Sequence, residues 1–282
     1  MPRLGVLGWP VAHSRSPAMH EAALRELGLE DWHYQRLPVP PELFAETARA
    51  LPGAGFVGAN VTIPHKRAAL ALADTASAAA RGIGAANTLS FAPDGTIAAE
   101  NTDAPGLLAA IARDPAGPGS LAGRSALVLG AGGSARAVVW ALREAGAGEV
   151  AVWNRTPERA AALADELGVT AVTRPRAADL LVNCTSVGLA AAGADIATDG
   201  QEVPEALNQL ALTLDLVGGY AYVVDLVYRD GLTPLLLAAR ERGVPALDGL
   251  EVLVAQGALS LELWTGHPAP VEVMRRAARN LD

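Results

Sequence analysis

The sequence predicts an α/β fold in two domains. In its first hundred residues, short β-like runs such as RLGVLG and GFVGANVTI alternate with helical runs such as PAMHEAALRELG. A loop rich in glycine and proline, residues 114–124, then precedes a new strand-like run, SALVLG, so this loop is the best internal boundary. The alternation resumes through EVAVWN, ADLLVNCTS and YVVDLVY, and from Leu250 onward the sequence reads as helix.

The composition favours an enzyme or binding protein for small molecules. With 282 residues and 51% hydrophobic content, the chain can bury the cores of two domains. A net charge of −8 argues against a nucleic-acid or anionic-membrane partner. No signal or membrane-spanning pattern is found, the single cysteine permits no internal disulfide, and the five histidines show no metal-ligand spacing. We therefore expect a cytoplasmic protein without a metal site.

A glycine fingerprint follows the strand SALVLG and opens the next helical run. Gly130, Gly132 and Ala135 fit the GxGxxA form, in which the first glycine makes a tight turn and the second lets the backbone approach a pyrophosphate. The small third residue lets helix and strand pack closely, and the phosphates lie at the helix N-terminus. This context predicts a Rossmann-type dinucleotide-binding domain.

The end of the following strand indicates which dinucleotide is bound. NAD-binding proteins usually place an acidic residue there for the ribose hydroxyls, but here Asn154 takes that place. Arg155 and Arg159 offer two guanidinium groups suited to a 2′-phosphate. This favours NADP over NAD, although both arginines could simply face solvent.

Lys66 is the only lysine in the chain, whereas arginine supplies the other basic side chains. Arginine stays charged under all working conditions, but a lysine amine can give up and regain a proton. Lys66 follows the strand-like run GANVTI at a predicted helix start, where the helix dipole disfavours an ammonium. Asp103 stands in the same kind of place after TIAA. The two residues could form a proton-handling pair, although Asp at such a position is also common capping chemistry.

Two serines, Ser14 and Ser16, stand in HSRSP at the predicted start of a helix, where N–H groups attract anions. They could hold a carboxylate together, but ordinary N-capping by Ser16, with Pro17 in the first turn, explains the motif equally well. Gly28 is expected in the left-handed conformation that ends this helix.

Taken in order, the motifs resemble shikimate dehydrogenases over nearly the whole chain. They are GWPVAHSRSPAMH, GANVTIPHK, GAANTL, ENTDAPG, GAGGSARA with NRTPER, NCTSVG and GLEVLVAQGA. The resemblance implies reversible, NADP-dependent hydride transfer between C3 of shikimate and 3-dehydroshikimate, in aromatic amino-acid (chorismate) biosynthesis. Lys66 and Asp103 would be its catalytic pair.

The resemblance also implies the binding residues. Shikimate would contact Ser14 and Ser16 through its carboxylate, and its ring hydroxyls would contact Asn60, Thr62, Asn87, Tyr228 and Gln256. NADP would contact the loop Gly130, Ala131, Gly132, Gly133 and Ser134, then Asn154, Arg155, Thr156 and Arg159, with Thr185 and Gly249 nearer the nicotinamide. Two positions depart from the family pattern: Asp230 stands where proline is usual, and Val252 where methionine is usual.

The expected architecture is an α/β substrate domain with a parallel-rich sheet, residues 1–101, and a Rossmann-type NADP domain, residues 102–246, with a cleft between them. Residues 247–282 would form helices that return to the substrate domain. The chain would be a monomer or homodimer. Two other functions stay open: a quinate/shikimate dehydrogenase with broader cofactor use, and a non-catalytic NADP-binding sensor, which would need neither Lys66 nor Asp103.

Overall fold

The computed structural model describes residues 1–189 and 199–280, which form two compact units. The first unit contains residues 1–106 and 253–282, and the second contains residues 107–252. Both divisions fall inside helices, a few residues after the domain limits expected at residues 101 and 246, and the first lies upstream of the loop at 114–124. The assignment of residues 1–101 to substrate binding and of residues 102–246 to NADP binding stays a prediction.

The first part of the chain alternates strands and helices as the pattern predicts. The strands are β1 (Arg3–Gly8), β2 (His33–Pro38), β3 (Phe56–Val61), β4 (Thr75–Ala76), β5 (Thr88–Phe91) and β6 (Ile97–Glu100). The helices are α1 (Ser16–Glu26), α2 (Phe44–Ala50), α3 (Lys66–Leu72), α4 (Ala78–Ile83) and α5 (Asp103–Arg113).

The sheet of the first unit is mixed. Its strand order is β2-β1-β3-β5-β6-β4, with β5 antiparallel to both of its neighbours and the other pairs parallel. The parallel pairs place the C-terminal ends of β1 and β3 at one edge, and the loops that follow them begin there. Apolar side chains including Leu7, Phe44, Ala59 and Leu89 pack into a core against this sheet.

The remaining elements continue the alternation. The strands are β7 (Ser125–Leu129), β8 (Glu149–Trp153), β9 (Thr170–Ala171), β10 (Leu180–Asn183), β11 (Tyr222–Asp225) and β12 (Ala246–Leu247). The helices are α6 (Gly133–Glu144), α7 (Pro157–Leu167), α8 (Asp199–Gln209), α9 (Leu214–Val217), α10 (Pro234–Glu241), α11 (Gly249–Thr265) and α12 (Val271–Ala278).

The second unit has a parallel sheet, in the order β12-β11-β10-β7-β8-β9. Strands β7 and β10 are at its centre and read as nearly continuous apolar runs, as expected for strands covered on both faces. The predicted α/β fold, with a Rossmann-type sheet in one unit and a parallel-rich sheet in the other, is confirmed. Within the described residues, no helix is long and apolar enough to cross a membrane.

The start of α1 corrects one local expectation. Ser16 is the first helical residue and its side chain makes no capping hydrogen bond; the cap position is Arg15, at φ −91° and ψ −1°. A capping serine needs an extended backbone, which the chain does not adopt here, so ordinary capping by Ser16 is wrong. Gly28 does have the expected left-handed conformation after the helix, at φ +70°.

Candidate active site

The structure joins Lys66 and Asp103 by a direct contact. Each is the first residue of its helix, α3 and α5, and Lys66 Nζ lies 2.6 Å from Asp103 Oδ2. The two side chains are only 10% and 18% exposed. The helix dipole disfavours an ammonium at a helix N-terminus and favours a carboxylate there. The ion pair with Asp103 therefore compensates for the unfavourable position of Lys66 at the start of α3.

Asn87 connects this pair to helix α11. Its amide nitrogen donates to Asp103 Oδ1 at 2.9 Å and to Gln256 Oε1 at 3.0 Å. Its oxygen accepts from the backbone N–H of Thr102 at 2.7 Å. Asn87 is only 2% exposed, so its orientation is fixed by these bonds. Both carboxylate oxygens of Asp103 are therefore held, one by Asn87 and one by Lys66.

Asn60 lies in β3 and is held from both ends of its amide. Tyr34 Oη donates to its oxygen at 2.8 Å, and its nitrogen donates to Ser260 Oγ at 2.9 Å. The Tyr34 ring in turn stacks on His20, with centroids 4.3 Å apart and planes 3° apart. Burial lowers the pKa of His20 to about 3, so this ring is neutral at working pH. The contact supports a structural role for His20.

The loops that carry the serines and the lysine leave the sheet side by side. The backbone N–H of Trp9 donates to Ile63 O at 2.9 Å and that of Thr62 to Leu7 O at 2.8 Å. Gly8 is required here, because a Cβ at Gly8 would lie 2.5 Å from Thr62 Cγ2. Thr62, in the lysine loop, therefore packs against Gly8 at the start of the serine loop.

Ser14 and Ser16 are both buried, at 5% and 4% exposure. Ser14 Oγ accepts from the backbone N–H of Ser16 at 3.3 Å. The Arg36 guanidinium donates twice to Ser14 O, through Nη2 at 2.7 Å and Nε at 3.2 Å. Arg36 therefore fixes the serine loop and adds a positive charge beside it, which suits an anionic ligand.

The glycine fingerprint has the expected geometry. Gly130 directly follows β7 at φ +108°, and a Cβ there would lie 3.1 Å from Cys184 O. Gly132, just before α6, has nothing within 4 Å of its Cβ position, which leaves room for a pyrophosphate next to the protein backbone. Ala135 is fully buried, as close packing of helix and strand requires. Ala131, Gly133 and Ser134 complete this turn.

The residues after β8 also suit a phosphate. Arg155, Thr156 and Arg159 are exposed, and Asn154 Nδ2 donates to Thr156 O at 2.9 Å, which closes the turn before α7. No acidic side chain stands between Trp153 and Pro157. These residues fit a nucleotide that carries a 2′-phosphate.

A buried polar group positions Thr185 in the second unit, and a close backbone approach positions Gly249. Thr185 Oγ1 donates to Asn183 Oδ1 at 2.8 Å, and Asn183 Nδ2 donates to Asp225 Oδ1 at 2.9 Å. Burial raises the pKa of Asp225 to about 6, although bonds from Thr233, Val227 and Asn183 partly offset the effect. A Cβ at Gly249 would lie 2.5 Å from Leu226 O, so only glycine fits where α11 begins.

Tyr228, which is expected to contact a ring hydroxyl of the substrate, belongs to the second unit. It lies after β11 in the second unit, with Asp230 exposed two residues later. Val252, the other departure, is buried at 8% exposure. The roles implied for Tyr228 and for the other site residues stay predictions.

Sequence reasoning missed several members of the network. They are buried polar side chains that contact Asn60, Asn87 or one another: Tyr34, Thr88, Thr102 and Ser260. Thr88 and Thr102 adjoin residues that the motifs singled out. Ser260 had a weaker signal, as a hydroxyl four residues after Gln256 in a mostly apolar helix.

Three segments of the chain match known families. Residues 6–89 match the shikimate dehydrogenase substrate binding domain, residues 111–216 match shikimate / quinate 5-dehydrogenase, and residues 249–279 match the shikimate 5′-dehydrogenase C-terminal domain. A shikimate dehydrogenase (NADP(+)) of Paracoccus denitrificans is 43% identical over 98% of this chain and 95% of the relative. The chain belongs to the shikimate dehydrogenase family.

Other members of the shikimate dehydrogenase family agree with this assignment. The shikimate dehydrogenase (NADP(+)) of Thermus thermophilus is 47% identical over 99% of this chain and 98% of the relative. A crystal structure of a Thermus thermophilus shikimate 5-dehydrogenase in complex with NADP(H) and shikimate has a TM-score of 0.83, with 44% identity and 99% of both chains covered. The Aquifex aeolicus enzyme has a TM-score of 0.85 at 33% identity, covering 99% of this chain and 98% of that chain.

Proposed function

We propose that this chain is an NADP-dependent oxidoreductase that interconverts shikimate and 3-dehydroshikimate, a step of aromatic amino-acid biosynthesis. The observation that carries the proposal is the contact between Lys66 Nζ and Asp103 Oδ2 at 2.6 Å, with Asn87 bonded to Asp103 and Gln256 bonded to Asn87. A protein that only sensed NADP would have no use for this buried pair.

Lys66 handles the hydroxyl proton. In the oxidative direction its neutral amine accepts the proton of the C3 hydroxyl as the hydride leaves C3, and in the reductive direction its ammonium returns that proton to the carbonyl oxygen. Asp103 stabilises the ammonium, and Asn87 orients Asp103 through its second oxygen. NADP, when bound, supplies the nicotinamide that accepts or returns the hydride.

The binding roles follow from charge and donor chemistry. Ser14 and Ser16, with the positive charge of Arg36 behind them, hold the carboxylate of shikimate. The amides of Asn60, Asn87 and Gln256, the hydroxyl of Thr62 and the phenol of Tyr228 contact the ring hydroxyls. The turn Gly130–Ser134, with Thr185 and Gly249, holds the pyrophosphate and nicotinamide portion, while Asn154, Arg155, Thr156 and Arg159 hold the ribose and its 2′-phosphate.

The test is the initial rate of nicotinamide reduction by the purified protein with shikimate or quinate, each with NADP or NAD. We expect turnover mainly with shikimate and NADP. Efficient turnover of quinate with NAD would favour the broader enzyme, and no turnover in any combination would refute the enzymatic function. Cytoplasmic localisation and the monomer or homodimer state stay predictions.

A further inference from the structure

The hydroxyl of Ser260 is at the centre of the polar network beneath the proposed shikimate site. Ser260 is fully buried in α11. Its Oγ lies 2.9 Å from Asn60 Nδ2, 2.9 Å from Thr88 Oγ1 and 3.1 Å from Thr102 Oγ1. These contacts bring together β3, the start of β5, the turn before α5, and α11 itself.

The donor and the two acceptor positions of the Ser260 hydroxyl can each be assigned to a hydrogen bond. Its own proton goes to Gln256 O, 3.1 Å away and one helical turn earlier, because a carbonyl can only accept. Its two lone pairs are then free to accept, one from Asn60 Nδ2 and one from a threonine hydroxyl. Ser260 is thereby saturated, so it acts on the ligand-binding side chains and has no capacity left for a ligand.

Asn60 depends on this bond for its orientation. The other acceptors of its amide nitrogen, Asn87 O and Thr88 Oγ1, are both 3.3 Å away, longer than the 2.9 Å to Ser260. Since Tyr34 donates to the amide oxygen, the Ser260 and Tyr34 bonds together fix which end of the amide faces which neighbour.

A second route leads from Ser260 to the catalytic pair. Thr102 Oγ1 lies 3.1 Å from Ser260 Oγ, the backbone N–H of Thr102 donates to Asn87 Oδ1 at 2.7 Å, and Asn87 donates to Asp103 Oδ1. This route passes through more bonds than the route to Asn60, so its effect on the chemical step is weaker than the effect on shikimate binding.

We propose that Ser260 is a positioning residue for shikimate, which sets the orientation of Asn60 directly and that of Asn87 through Thr102. The inference rests on the proposed function, because it assigns Ser260 to the same substrate site. It predicts that loss of the Ser260 hydroxyl weakens shikimate binding independently of any change in the free energy of unfolding or in NADP affinity.

The experiment measures the shikimate and NADP dissociation constants by titration calorimetry, with kcat, for wild type and Ser260→Ala. One neutral hydrogen bond corresponds to roughly threefold to tenfold in an equilibrium constant. We expect the shikimate dissociation constant to rise by about that factor, with the NADP constant unchanged and kcat lowered less. Ser260→Cys keeps the shape of the side chain but replaces the hydroxyl by a weakly hydrogen-bonding thiol, and it is measured in parallel in case the alanine variant fails to fold.

Thr265→Ala is the matched control. Thr265 lies in the same helix and makes the same kind of backbone bond, from Oγ1 to Leu261 O at 2.8 Å, but has no contact with Asn60 or Asn87 among the described residues. It should leave the shikimate dissociation constant unchanged. An equal shift in both variants would mean that any lost helix hydroxyl has this effect, and would overturn the proposal.

A double-mutant cycle separates positioning from simple stabilisation. In an Asn60→Ala background, Ser260→Ala should weaken shikimate binding much less than in wild type, because the side chain on which it acts is gone. Equal effects in both backgrounds, or wild-type shikimate affinity in the Ser260 variants, would refute the inference. The proposed function would still stand as long as the wild-type protein turns over shikimate. An inactive wild type would refute the proposed function first.

Discussion

Replacing Lys66 by arginine keeps a positive charge next to Asp103 but removes the side chain that can release and regain a proton. The substitution isolates the ability to exchange a proton, because both side chains are cations that can pair with a carboxylate. Lys66 is buried at 8% exposure and its Nζ is 2.6 Å from Asp103 Oδ2. An arginine there should preserve the ion pair while being unable to accept a proton from a hydroxyl.

The size of the effect follows from the role. General acid–base catalysis by a positioned side chain contributes about 10² to 10⁴ in rate, or ~3–5 kcal/mol of the barrier. We therefore expect Lys66→Arg to lower kcat by at least about a hundredfold. The shikimate dissociation constant should change by less than about tenfold, since the charge beside Asp103 remains and only the shape of the cation differs.

The assay is the initial rate of NADPH formation at saturating shikimate, with binding measured separately by calorimetry. Arg67→Lys is the matched control, because it makes the reverse exchange at the next, exposed residue and should have wild-type kinetics. A Lys66→Arg variant with kcat within about threefold of wild type would show that the proton passes through another group.

Five further substitutions test the cofactor site and the second unit. Arg155→Ala and Arg159→Ala should each weaken NADP binding about tenfold or more and leave NAD binding unchanged, since only the 2′-phosphate is lost as a partner; equal losses for both nucleotides would contradict this. Gly130→Ala should cost about 1–3 kcal/mol of unfolding free energy in urea, because Gly130 is at φ +108° and its Cβ would crowd Cys184 O. Gly132→Ala should leave stability unchanged, because its Cβ would contact no protein atom, but it should weaken NADP binding, because the Cβ would occupy the space proposed for the pyrophosphate. Wild-type NADP affinity in this variant would place the pyrophosphate elsewhere. Burial raises the pKa of Asp225 from 3.8 to about 6, so the folded chain binds more protons than the unfolded chain between those values and loses stability as pH rises through them. Asp225→Asn removes this loss, so its stability relative to wild type should increase by up to ~3 kcal/mol from pH 4 to pH 7, and a difference independent of pH would contradict the assignment.

The features that sequence reasoning predicted are mostly local. The fingerprint from Gly130 to Ala135 needs only a strand, a tight turn and a helix start, all of which are encoded within a few residues. Lys66 and Asp103 could be paired because each follows a strand-like run at a predicted helix start. The structure brings their atoms to 2.6 Å, which confirms the predicted contact.

The features that it missed depend on long-range packing. Ser260 contacts Asn60 and Thr88 across 200 and 172 residues of sequence, and no local pattern determines which polar side chain the last helix places there. The antiparallel direction of β5 is likewise set by its neighbours in the sheet. At Ser16 the local signal was misleading, because the backbone conformation of Arg15, and not the serine hydroxyl, decides where α1 begins.

The most direct test of the central claim follows the hydride itself. Shikimate carrying deuterium at C3 is oxidised by the purified protein with NADP, and the mass of the NADPH formed is measured. The account predicts NADPH one mass unit heavier than that formed from unlabelled shikimate, together with 3-dehydroshikimate. NADPH of unchanged mass, with the deuterium released to water, would contradict direct hydride transfer from C3 and with it the proposed roles of Lys66 and Asp103.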